Sequence, residues 1–152
     1  MIKKKAYRLE WYAFFFQLPL LPEWVLRRRG LGKLIRDSSA TPENFAEDVV
    51  QLYNANGRRL NGLTGMINYY RALLRRGGGQ RQRDLGTPII ETPTLMLWGE
   101  GDTALTIETT YDTEKWVRDL TLRYLPRISH WVQQDAPDEV NAMIAAFLQG
   151  MD

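Results

Sequence analysis

The sequence contains no cysteine and one histidine, so disulfides and thiol catalysis are excluded and any imidazole acid–base chemistry must run through His130. A lone histidine without cysteine also argues against an ordinary zinc site, and neither metal nor cofactor is expected. No apolar run approaches the roughly 18 residues needed to span a bilayer. The most apolar stretch, Trp11-Tyr12-Ala13-Phe14-Phe15-Phe16, is short and is interrupted by Gln17 and Pro19. Met1-Ile2-Lys3-Lys4-Lys5 is charged like the start of a signal peptide, but Arg8 and Glu10 stand where an unbroken apolar stretch should begin. A soluble, cytoplasmic chain without a membrane span is the expectation.

Charge of one sign is also scarce. Twenty Lys and Arg against 18 Asp and Glu leave a net charge of +2, too little to predict a nucleic-acid partner. The excess is local, in Lys3-Lys4-Lys5, Arg27-Arg28-Arg29 and Arg75-Arg76 with Arg81 and Arg83, and such short clusters read as solvated helix ends and loops. What is present is the balance of a globular domain: 152 residues, 44% hydrophobic and 25% charged. Five Trp, seven Tyr and five Phe give more aromatic surface than a core of this size needs, which points to a pocket or an interface.

The polar, glycine-rich stretch Gly77-Gly78-Gly79-Gln80-Arg81-Gln82-Arg83 predicts an exposed loop or linker, with a seam near residues 77–92. Before it, apolar residues recur at helical spacing in Trp24-Val25-Leu26, in Phe45, Val49, Leu52 and Tyr53, and in Met66, Ile67, Tyr70, Leu73 and Leu74. Thr41-Pro42-Glu43-Asn44 has the cap, proline and early acid of a helix opening, and Gly30 and Gly57 suit helix ends. The first half is therefore expected as short helices without a sheet.

After the seam, Thr94-Leu95-Met96-Leu97-Trp98, between Pro93 and Gly99, reads as a buried strand. A helical stretch around Thr109–Val117 is expected next, then a second strand over Leu120–Leu125. Asp135-Ala136-Pro137-Asp138-Glu139 opens a last helix with Val140, Met143, Ile144, Phe147 and Leu148 on one face, closed by Gly150. Strand, helix, strand, helix implies parallel strands with right-handed crossovers, and two such strands form the edge of a larger sheet.

The chemistry gathers at the strand ends. Trp98-Gly99-Glu100-Gly101-Asp102 follows the first strand and Ser129-His130-Trp131 the second, and open α/β sheets place their sites at strand C-terminal ends. A carboxylate on Asp102 could accept the Nδ1–H of His130, fixing the tautomer and stabilising the imidazolium when the other nitrogen takes a proton. Taken singly, the aspartate could be turn chemistry and the histidine a packing residue; their order and placement favour the joint reading.

Leu97-Trp98-Gly99-Glu100-Gly101-Asp102 and His130-Trp131-Val132-Gln133-Gln134 resemble the last third of α/β-hydrolases of the epoxide hydrolase group, which includes related dehalogenases. Trp11-Tyr12-Ala13-Phe14-Phe15-Phe16-Gln17-Leu18-Pro19 is similar to that group's first lid helix, and Gly62-Leu63-Thr64-Gly65-Met66-Ile67-Asn68-Tyr69-Tyr70-Arg71 to its last. The resemblance covers the chain from about Trp11. It implies a partial α/β-hydrolase fold, with a helical lid over 1–80 and the C-terminal part of the core over 81–152.

The resemblance further implies a mechanism in which an aspartate nucleophile opens an epoxide to an alkyl-enzyme ester. Two lid tyrosines, here Tyr12 and Tyr70, hydrogen-bond the epoxide oxygen, and His130 with Asp102 activates the water that hydrolyses the ester. Tyr69 is the rival of Tyr70, since adjacent helix residues face different ways, and Tyr12 could simply pack with Phe15 and Phe16. Tyrosine at both positions favours an epoxide over a halide. No Gly-x-Ser-x-Gly or Gly-x-Asp-x-Gly elbow is found. Ser38-Ser39 lies in a loop of the helical half and Asp84 in the glycine-rich linker, neither at the strand–helix turn a nucleophile needs.

The expectation is thus the C-terminal portion of a hydrolase, inactive alone, that takes a small apolar epoxide when an N-terminal half completes it. The alternatives are a non-catalytic ligand- or protein-binding remnant, and a module docking Phe14-Phe15-Phe16 and its arginines on a membrane or nucleic acid. Open sheet edges and lid aromatics predict self-association in isolation.

Overall fold

A computed structural model describes residues 11–75, 78–86 and 88–150; Lys3-Lys4-Lys5, Arg8, Glu10, Arg76 and Gly77 lie outside them. The described chain divides into two compact units, one of 11–37 with 45–75 and 78–86, the other of 38–44 with 88–150.

The first unit is helical: α1 (Trp11–Phe15), α2 (Leu21–Arg29), α3 (Leu31–Asp37), α4 (Glu47–Arg58), α5 (Gly62–Leu74) and α6 (Gly78–Leu85). Helix α2 has Pro22 and Glu23 in its first turn and Arg27, Arg28 and Arg29 in its last, charges that complement the helix dipole. Gly30, at φ 85°, turns the chain directly into α3. Ile35, Phe45, Val50, Leu63 and Ile67 are buried. On α4 the inward face runs through Val50 and Gly57, whereas Leu52, expected inside, is 60% exposed. Asn54 on α4 accepts the Gly32 amide at 2.9 Å, tying α4 to α3.

Two local expectations of this half are corrected. The stretch around 77–83, expected as a loop, contributes to α6. Gln, Arg and Leu are good helix formers, and Gln80 bonds Asp84 four residues on (2.7 Å) and Arg83 three on (2.9 Å), enough to outweigh the glycines at the helix start. Thr41-Pro42-Glu43-Asn44 opens no α-helix: Pro42–Asn44 is one 3-10 turn, and α4 starts at Glu47. Gly57, expected at a helix end, is the penultimate residue of α4.

The second unit is built on β1 (Thr94–Gly99) and β2 (Leu120–Leu125), paired in parallel with Thr94 opposite Leu120 and Gly99 opposite Leu125. The short helix α7 (Val132–Asp135) and the longer α8 (Pro137–Gln149) follow. Thr110, Val117, Leu125 and Val140 are its buried centre. Along α8, Val140, Met143 and Phe147 are buried or half-buried, while Ile144 and Leu148, expected on the same face, are exposed. An open groove of about 510 Å³ lined by Leu95, Thr121, Met143 and Phe147 lies on this sheet.

The expected helix around Thr109–Val117 is two 3-10 turns instead, Ile107–Thr110 and Thr113–Lys115. Threonine hydroxyls compete for backbone carbonyls there: Thr109 bonds Thr106 O, Thr110 bonds Ile107 O and Thr113 bonds Thr110 O, all at 2.6–2.7 Å. Asp112, at φ 68°, then breaks any continuing helix.

Candidate active site at the strand ends

Register alone brings the two loops together. Because Gly99 lies opposite Leu125, β1 and β2 end side by side, and the turns leaving them meet. Glu100 N bonds Leu125 O at 3.0 Å and Gly101 N bonds Ile128 O at 2.8 Å, locking one turn onto the other. Gly99 permits this approach: a Cβ there would lie 2.2 Å from Ser129 O and 2.3 Å from Ile128 O.

Asp102 and His130 are thereby placed in contact, with His130 Nδ1 2.8 Å from Asp102 Oδ2. The other carboxylate oxygen accepts the amides of Ala104 and Leu105, both at 2.8 Å. The Asp102 side chain is 4% exposed, whereas the imidazole is 39% exposed. A buried, triply bonded carboxylate facing an accessible ring can fix the tautomer and leave the second ring nitrogen to exchange protons with a reactant.

The tyrosines belong to the helical unit. Tyr12 on α1 and Tyr70 on α5 meet edge to face at 5.7 Å between centroids, with Phe16 5.9 Å from Tyr12 and 5.0 Å from Tyr70. Tyr69 is 76% exposed while Tyr70 is half-buried. Arg71 holds the two helices in this relation. Its guanidinium donates to Phe16 O (2.9 Å) and Leu18 O (2.7 Å), and grips Glu23 with one bond at 2.6 Å and another at 3.1 Å. That hydrogen bond, opposed by burial, holds the Glu23 carboxyl below its ordinary range. Gln17 adds bonds to Ala13 O (3.0 Å) and Tyr70 O (3.2 Å).

Sequence reasoning missed Asp135. Read as a helix-opening acid, it is 5% exposed and accepts hydrogen bonds from Ser129, Ser39, Ala40 and Thr41. Burial raises its pKa, but the bonds from the Ser129 and Ser39 hydroxyls, the Ser129 amide and Thr41 outweigh burial and hold it at about 2. Ser39, read as part of a loop of the helical half, packs instead in the sheet unit. Among the described residues no group of three or more His, Asp or Glu could hold a metal ion, and no helix is long and apolar enough to cross a membrane.

No protein-family model matches the chain. Curated proteins do. It is 32% identical over 150 residues to epoxide hydrolase 1 of Caenorhabditis elegans, covering 93% of this chain and 36% of that protein. It is 34% identical over 146 residues to epoxide hydrolase 3 of Xenopus tropicalis (91% and 38%). With the AB hydrolase superfamily protein YfhM of Bacillus subtilis it shares 32% over 141 residues (91% and 47%). The chain therefore spans less than half the length of these relatives.

Among solved structures, an inhibitor complex of Bacillus megaterium epoxide hydrolase superposes with a TM-score of 0.81 over 97% of this chain and 54% of that one, at 24% identity, a likeness of fold. An M145A mutant of an epoxide hydrolase from the same organism gives 0.78 at 25% identity, over 97% and 54%. The helical unit and the parallel strand pair are accordingly parts of an α/β-hydrolase fold, and the chain belongs with the epoxide-hydrolase-like α/β-hydrolases, corresponding to their C-terminal part.

Proposed function

We propose that the chain supplies the base, its orienting acid and the substrate-gripping tyrosines of an epoxide hydrolase, and that it turns over no epoxide without a nucleophile from an N-terminal part. The observation that carries this reading is the 2.8 Å contact between His130 Nδ1 and the buried Asp102 carboxylate at the ends of adjacent parallel strands.

The first step is ring opening. A carboxylate oxygen of the supplied aspartate attacks one epoxide carbon, the carbon–oxygen bond breaks, and the departing oxygen takes a phenol proton from Tyr12 or Tyr70. Two phenols suit this role: they are neutral donors at ordinary pH and stabilise the alkoxide as it develops. In the second step water adds to the ester carbonyl while His130 Nε2 takes its proton. Asp102 stabilises the imidazolium and the tetrahedral intermediate expels the diol's oxygen, which takes the imidazolium proton, while the second water proton, left on the regenerated aspartic acid, passes to the phenolate and restores both carboxylate and phenol. The aromatic cluster of Tyr12, Phe16 and Tyr70 suits a small apolar epoxide. A cytoplasmic location belongs to the same proposal.

A chromogenic epoxide tests it. The chain alone should give no turnover, and joining it to the N-terminal part of a relative such as the Bacillus subtilis protein should restore it. Turnover by the isolated chain that His130→Ala abolishes, or an inert but folded chimera, would overturn the proposal.

A further inference from the structure

Asp135 lies outside the chemistry just described, yet its bonds converge on the residues that flank the base. Its Oδ2 accepts the Ser129 amide at 2.8 Å and also the Ser129 hydroxyl. That hydroxyl in turn accepts the amide of Trp131 at 3.2 Å, so the amides of both residues flanking His130 are tied to one carboxylate, the second through the hydroxyl. The Asp135 amide closes the loop from below by donating to Trp131 O at 2.8 Å.

The other oxygen, Oδ1, is anchored to a distant segment. It accepts from the Ser39 hydroxyl, from Thr41 N at 3.3 Å and from Thr41 Oγ1 at 3.0 Å. Trp131 Nε1 donates to Ser38 Oγ at 2.9 Å, and Asn44 Nδ2 donates to Gln134 O at 3.0 Å and Asp135 O at 3.2 Å. Ser38, Ser39, Ala40, Thr41 and Asn44 thus all bond to 131–135. Ser129 and Asp135 are each 5% exposed, whereas His130 between them is accessible. A buried charge needs such donors, but burial alone does not require two of them to come from the residue preceding the base.

We propose that Asp135 is the positioning residue of the histidine loop: through Ser129 it fixes the backbone on both sides of His130, so that Nδ1 is delivered to Asp102. Residues 38–44 act as the brace that fixes Asp135. The proposal rests on His130 and Asp102 being the base and its orienter. It predicts that loss of Asp135 or Ser129 loosens the ring without touching either member of the pair.

His130 is the chain's single histidine, so the 15N and Nδ1–H resonances of its imidazole report tautomer and hydrogen bonding without overlap. The intact chain should show the Nδ1–H tautomer with a downfield proton protected from exchange. Asp135→Asn and Ser129→Ala should both lose that protected proton, while Arg118→Ala, which removes only an exposed ion pair with Glu91, should keep it. If Asp135→Asn fails to fold, Ser129→Ala, which removes one oxygen atom, decides alone. In an active chimera the same variants should slow ester hydrolysis about a hundredfold, the effect of misplacing a catalytic group by about 1 Å, and leave ring opening unchanged. A protected Nδ1–H retained in Asp135→Asn and Ser129→Ala, but lost in Asp102→Asn, overturns the positioning role alone. If Asp102→Asn also retains it, the pairing of His130 with Asp102 fails first.

Discussion

Arg71→Met should loosen the helical unit far more than the loss of a surface charge. Arg71 and Glu23 have side chains only 15% and 10% exposed, and the guanidinium also satisfies Phe16 O and Leu18 O. Removing one member of a buried pair costs roughly 3–5 kcal/mol, because the remaining charge is stranded, against about 0–1 kcal/mol for an exposed pair. Residual solvent access places Arg71→Met near the lower end, about 3 kcal/mol, with a fall in Tm on the order of 10 °C. Arg71→Met combined with Glu23→Gln strands no carboxylate and should recover about half of that loss. Thermal and urea unfolding of the two single variants and the double variant measure the coupling. A loss under about 1 kcal/mol for Arg71→Met, or a double variant no more stable than Arg71→Met, would refute the reasoning.

Other expectations follow from the strand-end site and its supports. Asp135 has a pKa of about 2 against 3.8 for the free side chain, so it contributes roughly 2 kcal/mol of stability that is complete above pH 4 and lost as pH falls toward 2. Urea midpoints between pH 2 and 5 should show this loss, and Asp135→Asn should flatten it. Gly99→Ala should cost at least about 2 kcal/mol and disturb the His130 resonance, since the new methyl collides with Ser129 O and Ile128 O, both backbone atoms; an unchanged resonance would contradict the close packing of the two turns. In an active chimera, Tyr70→Phe should slow ring opening by about a hundredfold or more, as for loss of an oxyanion donor. Tyr69→Phe should have little effect, and equal effects would remove the distinction drawn from their exposure.

The two strands were legible because their apolar runs are bounded by Pro93 and Gly99 and by the alternation from Leu120, local signals that the sheet preserves. Asp102 and His130 stood out for the same reason, each lying just past a strand. The crossover was misread because propensity takes no account of the threonine hydroxyls that turn carbonyls away from helix bonding. The glycine-rich stretch, expected as a loop, was misread in the opposite sense, the helix formers from Gln80 to Leu85 prevailing. Asp135 was opaque for a different cause: locally it resembles a helix-opening acid, and its partner Ser39 lies 96 residues upstream. Ser-His followed by an acid five residues on was the one local sign, and without the fold it has no meaning.

The role of His130 as the base of ester hydrolysis is tested by intact-mass analysis of the His130→Ala chimera after exposure to an epoxide. A stable adduct of one epoxide mass should form on the aspartate of the N-terminal part, at the rate of the unsubstituted enzyme, and clear only slowly. A chimera that turns over normally without His130, or one that never gains the adduct although it is folded, would contradict that role.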